Sequence, residues 1–557
     1  MKIIECVPNF SEGQNLTVIN QITDEIKKVE GVTLLDVDPG FDTNRTVVTL
    51  VGEPEPVLEA AFQAIKKASE VIDMRKHHGA HARMGATDVC PLVPVAGVTM
   101  EECIQHSHTL AKRVGEELGI SVFLYEHSAT KEERKNLATV RAGEYEGMAE
   151  KIQTPEWKPD YGPTKLNETA GVTAIGARDF LIAYNINLNS KDTAIAKDIA
   201  LDIREQGRRA RDENGKLIRD KNRKFVRQEG KLKCCKAVGW FIEEYNVAQV
   251  SMNLTNFNVT PVHRAFEEVR EGARTRGARV TGSELVGLIP LKAILSAGEY
   301  YLAKQGRTAG IPEKEIIHIA VKSLGLDDLT PFDPKEKIIE YRIKELYGPL
   351  ASMRLHEFAD ETSSDSPAPG GGSVSAYAGA MGAALASMVG NLTMGKKKWQ
   401  PLFPTMDQIA CEGQKIKDEL LGLIDEDTEA FNKVIDAMRL PKKTEAEISA
   451  RNTAIEHANK HATHIPMRVL KLCASVLPLA HEAVLKGNPN SVSDAGVAAE
   501  MAAAGANGAA MNVLINLKGI EDEAYCAEMK QQTDALLMEI ENQLKLIRED
   551  TWSRLKS

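Results

Sequence analysis

The spacing of apolar residues in the first part of the chain predicts short strands that alternate with amphipathic helices. Alternating or continuous apolar runs are typical of strands, whereas apolar residues three and four apart are typical of helices. The predicted strands are residues 3–8, 32–37, 45–51, 89–95 and 121–125, and the predicted helices are residues 14–29, 55–71 and 100–118. The turn signal at Asp38-Pro-Gly is expected to end the second strand. The core order β-α-β-β-α-β predicts a ferredoxin-like subdomain.

A similar pattern returns further along the chain and predicts a second ferredoxin-like subdomain. The predicted strands are residues 180–187, 236–244, 249–254 and 283–289, and the predicted helices are residues 191–205, 261–276 and 291–304. Two such sheets packed face to face would leave a cleft for a substrate between them.

The pattern changes near residues 325–337, where strand signals end. The run Asp327-Asp-Leu-Thr-Pro-Phe-Asp-Pro is typical of a linker. The amphipathic runs that follow are residues 341–346, 373–393, 405–438, 445–477, 491–516 and 521–551. They predict an all-helical bundle, so the fold class is α/β plus all-α.

This reading divides the chain into four parts. The predicted bounds are 1–178 and 179–326 for the two α/β subdomains, 327–340 for the linker and 341–557 for the helical domain. Helices rich in alanine and glycine, at residues 376–386 and 496–510, permit close packing between helices or between subunits. We therefore expect both a tightly packed bundle and a homo-oligomer.

Composition narrows the class of protein. A length of 557 residues predicts two to four domains. The net charge of -10 and the aromatic content of 5% argue against a nucleic-acid-binding protein. We find no signal-peptide pattern and no membrane-spanning run, since residues 376–389 are too few. The eight cysteines form no CxxC pair, which predicts a cytoplasmic protein.

A loop rich in histidine, residues 77–94, is the leading candidate for chemistry in the first half. Gly79 and Gly85 disfavour regular structure there, and anchored loops often carry catalytic side chains. Histidine titrates near neutral pH, so His81 is the candidate general acid and base. Two alternatives remain, a structural loop and a metal site formed by His77, His78 and His81, although their spacing matches no zinc template.

Two further segments of the first half are polar or charged. Residues 162–178 are glycine-containing and lead into a strand, so their backbone could follow a ligand, although interdomain linkers have the same composition. Residues 204–233 are densely basic and could attract a polyanion. A solvated hairpin explains such a charge run equally well.

The helical half contains two candidate features. The run Pro367-Ala-Pro-Gly-Gly-Gly-Ser opens a helix, so its backbone N–H groups could bind an anion, with an N-cap by Ser373 as the alternative. The run Asp425-Glu-Asp-Thr-Glu crowds carboxylates on one helix, and crowding raises carboxyl pKa values. A solvated acidic face is the commoner reason for such a run. By position, His481 and residues 487–494 are expected to line the same cleft.

Several long motifs, in this order, resemble one known family. They are Cys6-Val-Pro-Asn-Phe-Ser-Glu-Gly, Thr43-Asn-Arg-Thr-Val, Gly79-Ala-His-Ala-Arg-Met-Gly-Ala-Thr-Asp-Val-Cys-Pro, Lys158-Pro-Asp-Tyr-Gly-Pro, Gly176-Ala-Arg-Asp-Phe-Leu-Ile-Ala-Tyr-Asn, Ala368-Pro-Gly-Gly-Gly-Ser-Val-Ser and Asp425-Glu-Asp. Together they are similar, over essentially the whole chain, to the bifunctional formimidoyltransferase-cyclodeaminases of histidine breakdown and folate metabolism. Ala82 stands where this family pattern has proline.

The resemblance implies two activities. The first transfers a formimidoyl group from N-formimidoyl-L-glutamate to tetrahydrofolate, the co-substrate, and the second closes the product to 5,10-methenyltetrahydrofolate and releases ammonia. It places the transferase acid/base on His81 and the cyclodeaminase catalytic aspartate on Asp427, with Asp425 as the near alternative. The implied folate-binding loop is Gly162, Pro163, Thr164, Lys165, Leu166, Asn167, Glu168, Thr169, Ala170 and Gly171.

The same resemblance implies partners and leaves alternatives. Formimidoylglutamate and folate, including its polyglutamate form, are the expected partners, and neither step requires a metal. Arg45 and Arg83 are candidates to bind substrate carboxylates, and the basic stretch, including Arg208, Arg209 and Arg211, could guide a polyglutamate tail. The alternatives are a helical half that acts as a methenyltetrahydrofolate cyclohydrolase, a metal-dependent hydrolase, and a non-catalytic folate-binding protein.

Overall fold

The computed structural model describes residues 2–41, 43–79, 82–243, 245–343, 348–366 and 368–557. The chain forms two units, one of residues 1–293 with 324–344 and one of residues 294–323 with 345–557. Strands occur only in the first unit within the described residues. The α/β and all-helical parts of the predicted fold class are therefore confirmed.

The elements follow the chain in this order. The strands are β1 (Ile3–Cys6), β2 (Asn9–Phe10), β3 (Val32–Gly40), β4 (Arg45–Gly52), β5 (Thr87–Ala96), β6 (Ser121–Leu124), β7 (Val172–Ala177), β8 (Ile182–Leu188), β9 (Arg208–Arg209), β10 (Arg227–Gln228), β11 (Cys235–Ile242), β12 (Val247–Leu254) and β13 (Val280–Val286). The α-helices are α1 (Leu16–Lys27), α2 (Pro54–Val71), α3 (Met100–Leu118), α4 (Leu137–Arg141), α5 (Glu144–Lys151), α6 (Thr193–Ile203), α7 (Val262–Arg274), α8 (Leu291–Lys304), α9 (Glu313–Leu324), α10 (Pro334–Lys337), α11 (Ile339–Ile343), α12 (Leu355–Thr362), α13 (Gly371–Met394), α14 (Phe403–Arg439), α15 (Glu445–Lys486), α16 (Val492–Asn516) and α17 (Glu523–Lys556).

The first sheet consists of β1 to β7. β1 and β2 together form one interrupted strand between β4 and β5, and β3 pairs with β4. These pairings are antiparallel, whereas β7 lies parallel to both β5 and β6. β1, β6 and β7 are buried along their length, which explains their continuous apolar sequences. The apolar sides of α1, α2 and α3 complete the core on this sheet.

The second sheet is antiparallel, in the order β11-β12-β8-β13. Counted along the chain, these are the second, third, first and fourth strands of the segment. The first sheet has the same relative order, which reads β3, β4, the β1–β2 strand and β5 across the sheet. Short connections place α6 after the first strand and α7 after the third strand of the second sheet.

Residues 208–228, here called the basic arm, join α6 to β11 and contain an eight-residue unit twice in tandem. The copies are residues 211–218 and 219–226. In each copy an aspartate side chain accepts hydrogen bonds of 2.8–3.0 Å from the N–H groups two and four residues later. The fifth position is left-handed in both, at Gly215 (φ 79°) and Arg223 (φ 63°). The basic run is therefore an ordered structure of repeated turns.

The second unit is a bundle in which α13 packs against α14, α15 and α16. Its core consists largely of alanine, valine, leucine and isoleucine side chains. Small residues permit the close approach: a side chain at Gly379 would meet Cys473, and one at Gly413 would meet Ser387. The expected close packing of the alanine- and glycine-rich helices is therefore present.

Helix α13 is longer than the sequence pattern predicted. It has 24 residues and a mean hydropathy of 1.2, which is sufficient for a membrane span by length and composition alone. The expectation that no apolar run reaches this length was therefore wrong. However, 61% of its most apolar window is buried inside the protein. Burial against neighbouring helices explains the apolar composition of α13.

Three further differences concern the first unit. β3 continues through Asp38 and Pro39 to Gly40, because these residues pair with β4, so the predicted turn at Asp38 was wrong. β7 lies within residues 162–178, whose sequence indicates a polar connection and not a strand. The segment predicted to be a linker contains α10, and the adjacent Ile338 and Ile339 are fully buried. The exact domain bounds remain predictions.

Candidate active sites

Two turns of the first unit hold the histidine loop through hydrogen bonds. The Ser11 hydroxyl donates to the main-chain oxygen of Gly85 over 2.8 Å. The Asn44 side-chain amide donates to the main-chain oxygen of His78 over 2.7 Å. The motifs around Ser11 and Asn44, which are distant in sequence, therefore meet at one loop.

His81 itself lies outside the described residues, as does Ala80. The chain is described up to Gly79 and again from Ala82. The role of His81 in proton transfer therefore stays a prediction. The loop on both sides of it is anchored, which is the property that an acid/base on a loop requires.

His77 has a structural role in this loop. Its Nε2 donates to the main-chain oxygen of Asn44 over 2.8 Å, and its Nδ1 accepts from Nε of Arg83 at 3.4 Å. Burial lowers the pKa of His77 and so favours this neutral form. Because both ring nitrogens have protein partners, His77 does not suit the metal-ligand alternative.

The two arginines that were candidates for carboxylate binding differ. Arg83 contacts Glu146 at 2.7 Å and Glu144 at 2.9 Å, so two carboxylates of the protein already neutralise it. Arg45 is half-buried and donates to the side-chain oxygen of Asn9. The role of Arg45 in carboxylate binding stays a prediction.

The end of the predicted folate-binding loop lies beside the histidine loop. The main-chain oxygen of Thr169 accepts from Met74 N at 2.9 Å, and that of Ala170 accepts from Ala86 N at 2.8 Å. The Tyr145 hydroxyl donates to the main-chain oxygen of Glu168 over 2.6 Å. Exposure decreases along the loop: Gly162, Pro163, Thr164, Lys165 and Glu168 are exposed, Leu166, Asn167 and Thr169 are half-buried, and Ala170 and Gly171 are buried.

A cleft of about 520 Å³ is lined by strands of both sheets of the first unit. Glu5 and Val47 line it from the first sheet, and Ala183 lines it from the second. Burial raises the pKa of Glu5 to about 7, and nearby Arg178 opposes that rise. The expected cleft between the sheets is therefore present, and it contains a carboxyl that titrates near neutral pH.

In the second unit, Asp427 lines a cavity of about 410 Å³. Its carboxylate lies against the first turn of α13, where a side chain at Gly372 would overlap it. Burial raises the pKa of Asp427 to about 6, although a hydrogen bond from the Ser373 N–H opposes the rise. The cause is burial, and not crowding by acidic neighbours as the sequence suggested. This carboxyl can hold a proton near neutral pH and release it inside the cavity.

Asp425 has a different environment, which separates the two candidate aspartates. Its buried carboxylate accepts from Leu350 N at 2.8 Å and from Ala351 N at 3.1 Å. A side chain at Gly348 would overlap the same carboxylate. Asp425 therefore fixes the turn before α12, and the cavity favours Asp427 as the acid.

Two expectations for this cavity were wrong, and so was the alternative of an N-cap by Ser373. Gly370, not Ser373, occupies the N-cap position of α13, and the Ser373 hydroxyl donates to Ile424 O over 2.8 Å. His481 contacts Asp550 at 2.7 Å and does not line the cavity. Residues 487–494 begin near the other end of α13, where Asn488 N donates to Oγ1 of Thr393. At 1.5 Å per helical residue, that end lies about 30 Å from the cavity.

Side chains without a sequence motif complete this cavity. The lining residues are Ala368, Gly370, Gly371, Gly372, Asp427, Thr428, Phe431, Val434, Asn459, Ala462, Asn512, Ile515, Asn516 and Gly519. The asparagines come from α15 and α16. Asn459 lies among charged and polar residues, and Asn512 and Asn516 lie in apolar sequence, so no local motif identified them. Within the described residues no group of three or more histidine, cysteine, aspartate or glutamate side chains could hold a metal ion.

Three family models match successive parts of the chain. The formiminotransferase domain, N-terminal subdomain, matches residues 3–178, and the formiminotransferase domain matches residues 183–344. The formiminotransferase-cyclodeaminase model matches residues 354–535. The order of these models follows the order of the α/β and helical parts.

Individual relatives cover either the whole chain or part of it. The formimidoyltransferase-cyclodeaminase of Sus scrofa is 44% identical over 549 residues, 98% of each chain. The glutamate formimidoyltransferase of Streptococcus pyogenes serotype M1 is 49% identical over 301 residues, 54% of this chain and 93% of its own. The methenyltetrahydrofolate cyclohydrolase of Methylorubrum extorquens is 43% identical over 185 residues, 33% of this chain and 89% of its own.

Proposed function

We propose that the chain, as a member of the formimidoyltransferase-cyclodeaminase family, carries out both reactions in the family's name. The first unit transfers the formimidoyl group from N-formimidoyl-L-glutamate to tetrahydrofolate. The second unit closes 5-formimidoyltetrahydrofolate to 5,10-methenyltetrahydrofolate and releases ammonia. The observation that carries this proposal is the Asp427 carboxyl, buried in a cavity of the helical unit with a pKa near 6.

In the transferase step, His81 moves the protons. The folate amine attacks the formimidoyl carbon, forms a carbon–nitrogen bond and must then lose a proton. The bond to the glutamate nitrogen breaks after that nitrogen gains a proton. A histidine can accept the first proton and donate the second. The anchoring of residues 77–79 and 82–86 supports this role, because it holds the loop at the meeting point of three motifs.

The folate-binding segment Gly162–Gly171 supports the same proposal. Its last residues are hydrogen-bonded to the histidine loop, so a folate bound along the segment would present its amine near that loop. The cleft of the first unit, lined by Arg178 and Asp36, offers charges of both signs. N-formimidoyl-L-glutamate also carries both signs, through its carboxylates and its formimidoyl nitrogen.

In the cyclodeaminase step, Asp427 supplies a proton. The second folate nitrogen attacks the formimidoyl carbon and loses its proton to a base in the cavity or to water, and the carbon then carries three nitrogen atoms. Protonation turns one of them into ammonia, and the carbon–nitrogen bond to it breaks as the methenyl double bond forms. A carboxyl with a pKa near 6 is partly protonated near neutral pH and can donate that proton. We propose no metal for either step.

The experiment follows both products for the wild type and for His81→Ala and Asp427→Ala. Purified protein receives formimidoylglutamate and tetrahydrofolate, and glutamate, ammonia and methenyltetrahydrofolate are measured. We expect His81→Ala to lose glutamate formation, and we expect Asp427→Ala to form glutamate while 5-formimidoyltetrahydrofolate accumulates. Full transferase activity in His81→Ala, or ammonia release in Asp427→Ala, would contradict the assignment.

A second candidate for the helical unit is a methenyltetrahydrofolate cyclohydrolase. The similarity to the Methylorubrum extorquens protein favours testing it. Such an enzyme would open the methenyl ring with water and release no ammonia. Formation of ammonia from 5-formimidoyltetrahydrofolate therefore distinguishes the two reactions.

Three further statements belong to this proposal. The shared strand order of the two sheets supports two ferredoxin-like subdomains. The eight cysteines are free thiols, which supports a cytoplasmic location. Apolar side chains on the surface of the helical unit, such as Met511, Met538 and Trp552, support a homo-oligomer.

The basic arm remains a candidate guide for a polyglutamate tail, although fewer of its arginines are available to bind the tail than the sequence suggested. Arg208 is paired with Asp198 and Asp202, so its charge is already neutralised. Arg209 is exposed on the arm and stacks on Phe225. The hypothesis fails if substitution of Arg208, Arg209 and Arg211 leaves the passage of a polyglutamylated intermediate between the two steps unchanged.

A further inference from the structure

The charge of the Asp427 cavity indicates what kind of group it accepts. Among the described residues that line it, Asp427 is the sole ionisable side chain, and no lysine, arginine or histidine contributes. Its other polar side chains are uncharged, namely three asparagines and Thr428. An acceptor-rich wall with one carboxyl suits a cationic group with N–H donors. The formimidoyl group of the proposed substrate is such a group when it is protonated.

Hydrogen bonds fix the orientation of the three asparagine amides. In each one the NH₂ group donates to a main-chain oxygen, from Asn459 to Gly519 over 2.6 Å, from Asn512 to Gly508 over 2.8 Å and from Asn516 to Ala462 over 2.9 Å. One N–H of each amide is therefore engaged with the protein, and this bond fixes which way the amide is turned. The carbonyl oxygen remains as the acceptor that each side chain can offer to a ligand.

Asn512 is the asparagine beside the reacting carboxyl. A side-chain carbon at Gly371 would lie 3.3 Å from Nδ2 of Asn512, and one at the next residue, Gly372, would overlap Asp427. Asn512 and Asp427 therefore flank two consecutive residues at the start of α13. Asn459 and Asn516 instead connect different segments of the bundle.

Thr428 provides a second observation that points to a ligand. Its hydroxyl is buried, and it has no hydrogen-bond partner among the described residues. Buried polar groups normally have a partner, because an unpartnered one costs about 1–3 kcal/mol. Thr428 lines the same cavity and follows Asp427 in sequence. A polar ligand in this cavity would satisfy the hydroxyl once the Thr428 side chain rotates toward it.

From this arrangement we infer that Asn512 is a specificity residue, whose side-chain oxygen accepts a hydrogen bond from the terminal nitrogen of the 5-formimidoyl group. The inference rests on the proposed cyclodeaminase function. Asn512 holds the nitrogen that leaves as ammonia, while Asp427 lies on the other side to protonate it. A 5-formyl group has an oxygen at that position, which cannot donate to Oδ1 of Asn512, so it does not make this hydrogen bond.

The test compares two ligands that differ only in this group. KM and kcat are measured for 5-formimidoyltetrahydrofolate, and 5-formyltetrahydrofolate is measured as a competitive inhibitor in the same assay. We expect Asn512→Leu to raise KM about tenfold or more, as loss of a charged hydrogen bond predicts, without weakening the inhibitor. Asn512→Asp keeps an acceptor and should retain binding of the formimidoyl substrate.

Asn507 provides a matched control on the same helix. Its NH₂ group donates to Ala503 O over 3.0 Å, with the same four-residue spacing, but it is exposed and does not line the cavity. Asn507→Leu should therefore leave both constants unchanged. An Asn512→Leu protein that keeps the wild-type KM, or that weakens both ligands equally, would overturn the inference.

The outcome separates this inference from the proposed function. If Asp427→Ala still releases ammonia, the assignment of the active site fails. If Asp427→Ala is inactive while Asn512→Leu and Asn512→Asp both discriminate the ligands as the wild type does, only the role of Asn512 fails.

Discussion

The two aspartates of α14 show how burial gives similar residues opposite roles. Asp425 accepts hydrogen bonds from two main-chain N–H groups and fixes a turn. Asp427 faces a cavity in which burial raises its pKa from 3.8 to about 6. A raised pKa means that the folded state favours the protonated form. Stability from Asp427 is therefore present below pH 4 and is lost as the pH rises through about 6.

This linkage gives the first prediction, for Asp427→Asn. Asparagine carries no charge, so the variant avoids the cost of burying a carboxylate at neutral pH. We expect a gain of between about 1 and 3 kcal/mol in the free energy of unfolding at pH 7.5, which shrinks as the pH falls toward 4. Urea unfolding between these pH values measures the difference.

Asp425→Asn is the matched comparison for that prediction. It removes a charge that accepts two hydrogen bonds, so it should destabilise the protein by about 1–3 kcal/mol at pH 7.5. The opposite signs of the two variants are the expected result. Destabilisation by Asp427→Asn at pH 7.5 would mean that the Asp427 carboxylate is stabilised in the folded protein.

At the scale of the element, the first turn of α13 determines how close Asp427 can lie. Gly372 has no side chain, and the carboxylate occupies the space where one would be. The prediction concerns Gly372→Ala, in which the methyl group displaces the carboxylate. We expect cyclisation and ammonia release to fall at least tenfold, while glutamate formation by the other unit is unchanged.

Gly422→Ala is the control for that helix glycine. A side chain at Gly422, on α14, meets no atom within 4 Å. Alanine favours a helix over glycine by about 1 kcal/mol, so this variant should keep both activities and gain slightly in stability. Equal loss of ammonia release in both variants would exclude the steric explanation.

The basic arm gives a third prediction, because its two turns differ at one position. Gly215 adopts a left-handed backbone without strain, whereas Arg223 carries a side chain in the same conformation. Arg223→Gly should stabilise its turn by roughly 1 kcal/mol and slow hydrogen exchange of the arm amides. The reverse change, Gly215→Arg, should speed hydrogen exchange of the arm amides. Slower exchange in that variant would refute the argument.

Helix bounds in the second unit were largely predictable, and the reason lies in the pattern itself. The predicted residues 405–438 and 491–516 differ from α14 and α16 by a few residues at most, because long runs carry many repeats of the 3.6-residue period. β7 was missed, since six residues with glycine and polar neighbours give too short a pattern. Asn512 was missed because cavities join side chains that are distant in sequence.

At the scale of the whole molecule, each unit contains its own candidate site. The histidine loop and the cleft belong to the first unit, and the Asp427 cavity belongs to the second. No described side chain of one cavity recurs in the other. The two activities should therefore be separable by substitution.

A mixing experiment tests this separation. Equal amounts of His81→Ala and Asp427→Ala protein are combined with both substrates. We expect methenyltetrahydrofolate to form after a lag, because the intermediate leaves one chain and enters another. Preparations of each variant alone serve as controls. If the mixture forms no methenyltetrahydrofolate although each variant keeps its other activity, the steps require two intact sites in one chain.

The apolar composition of α13 has a consequence for synthesis of the protein. Its packing partners α14, α15 and α16 all follow it along the chain. Ribosomes add about 5–20 residues per second, so the roughly 120 residues from Met394 to Asn516 require between about 6 and 25 seconds. For that period the nascent chain presents a segment with the length and hydropathy of a membrane span. We therefore expect chaperones to bind this segment during translation.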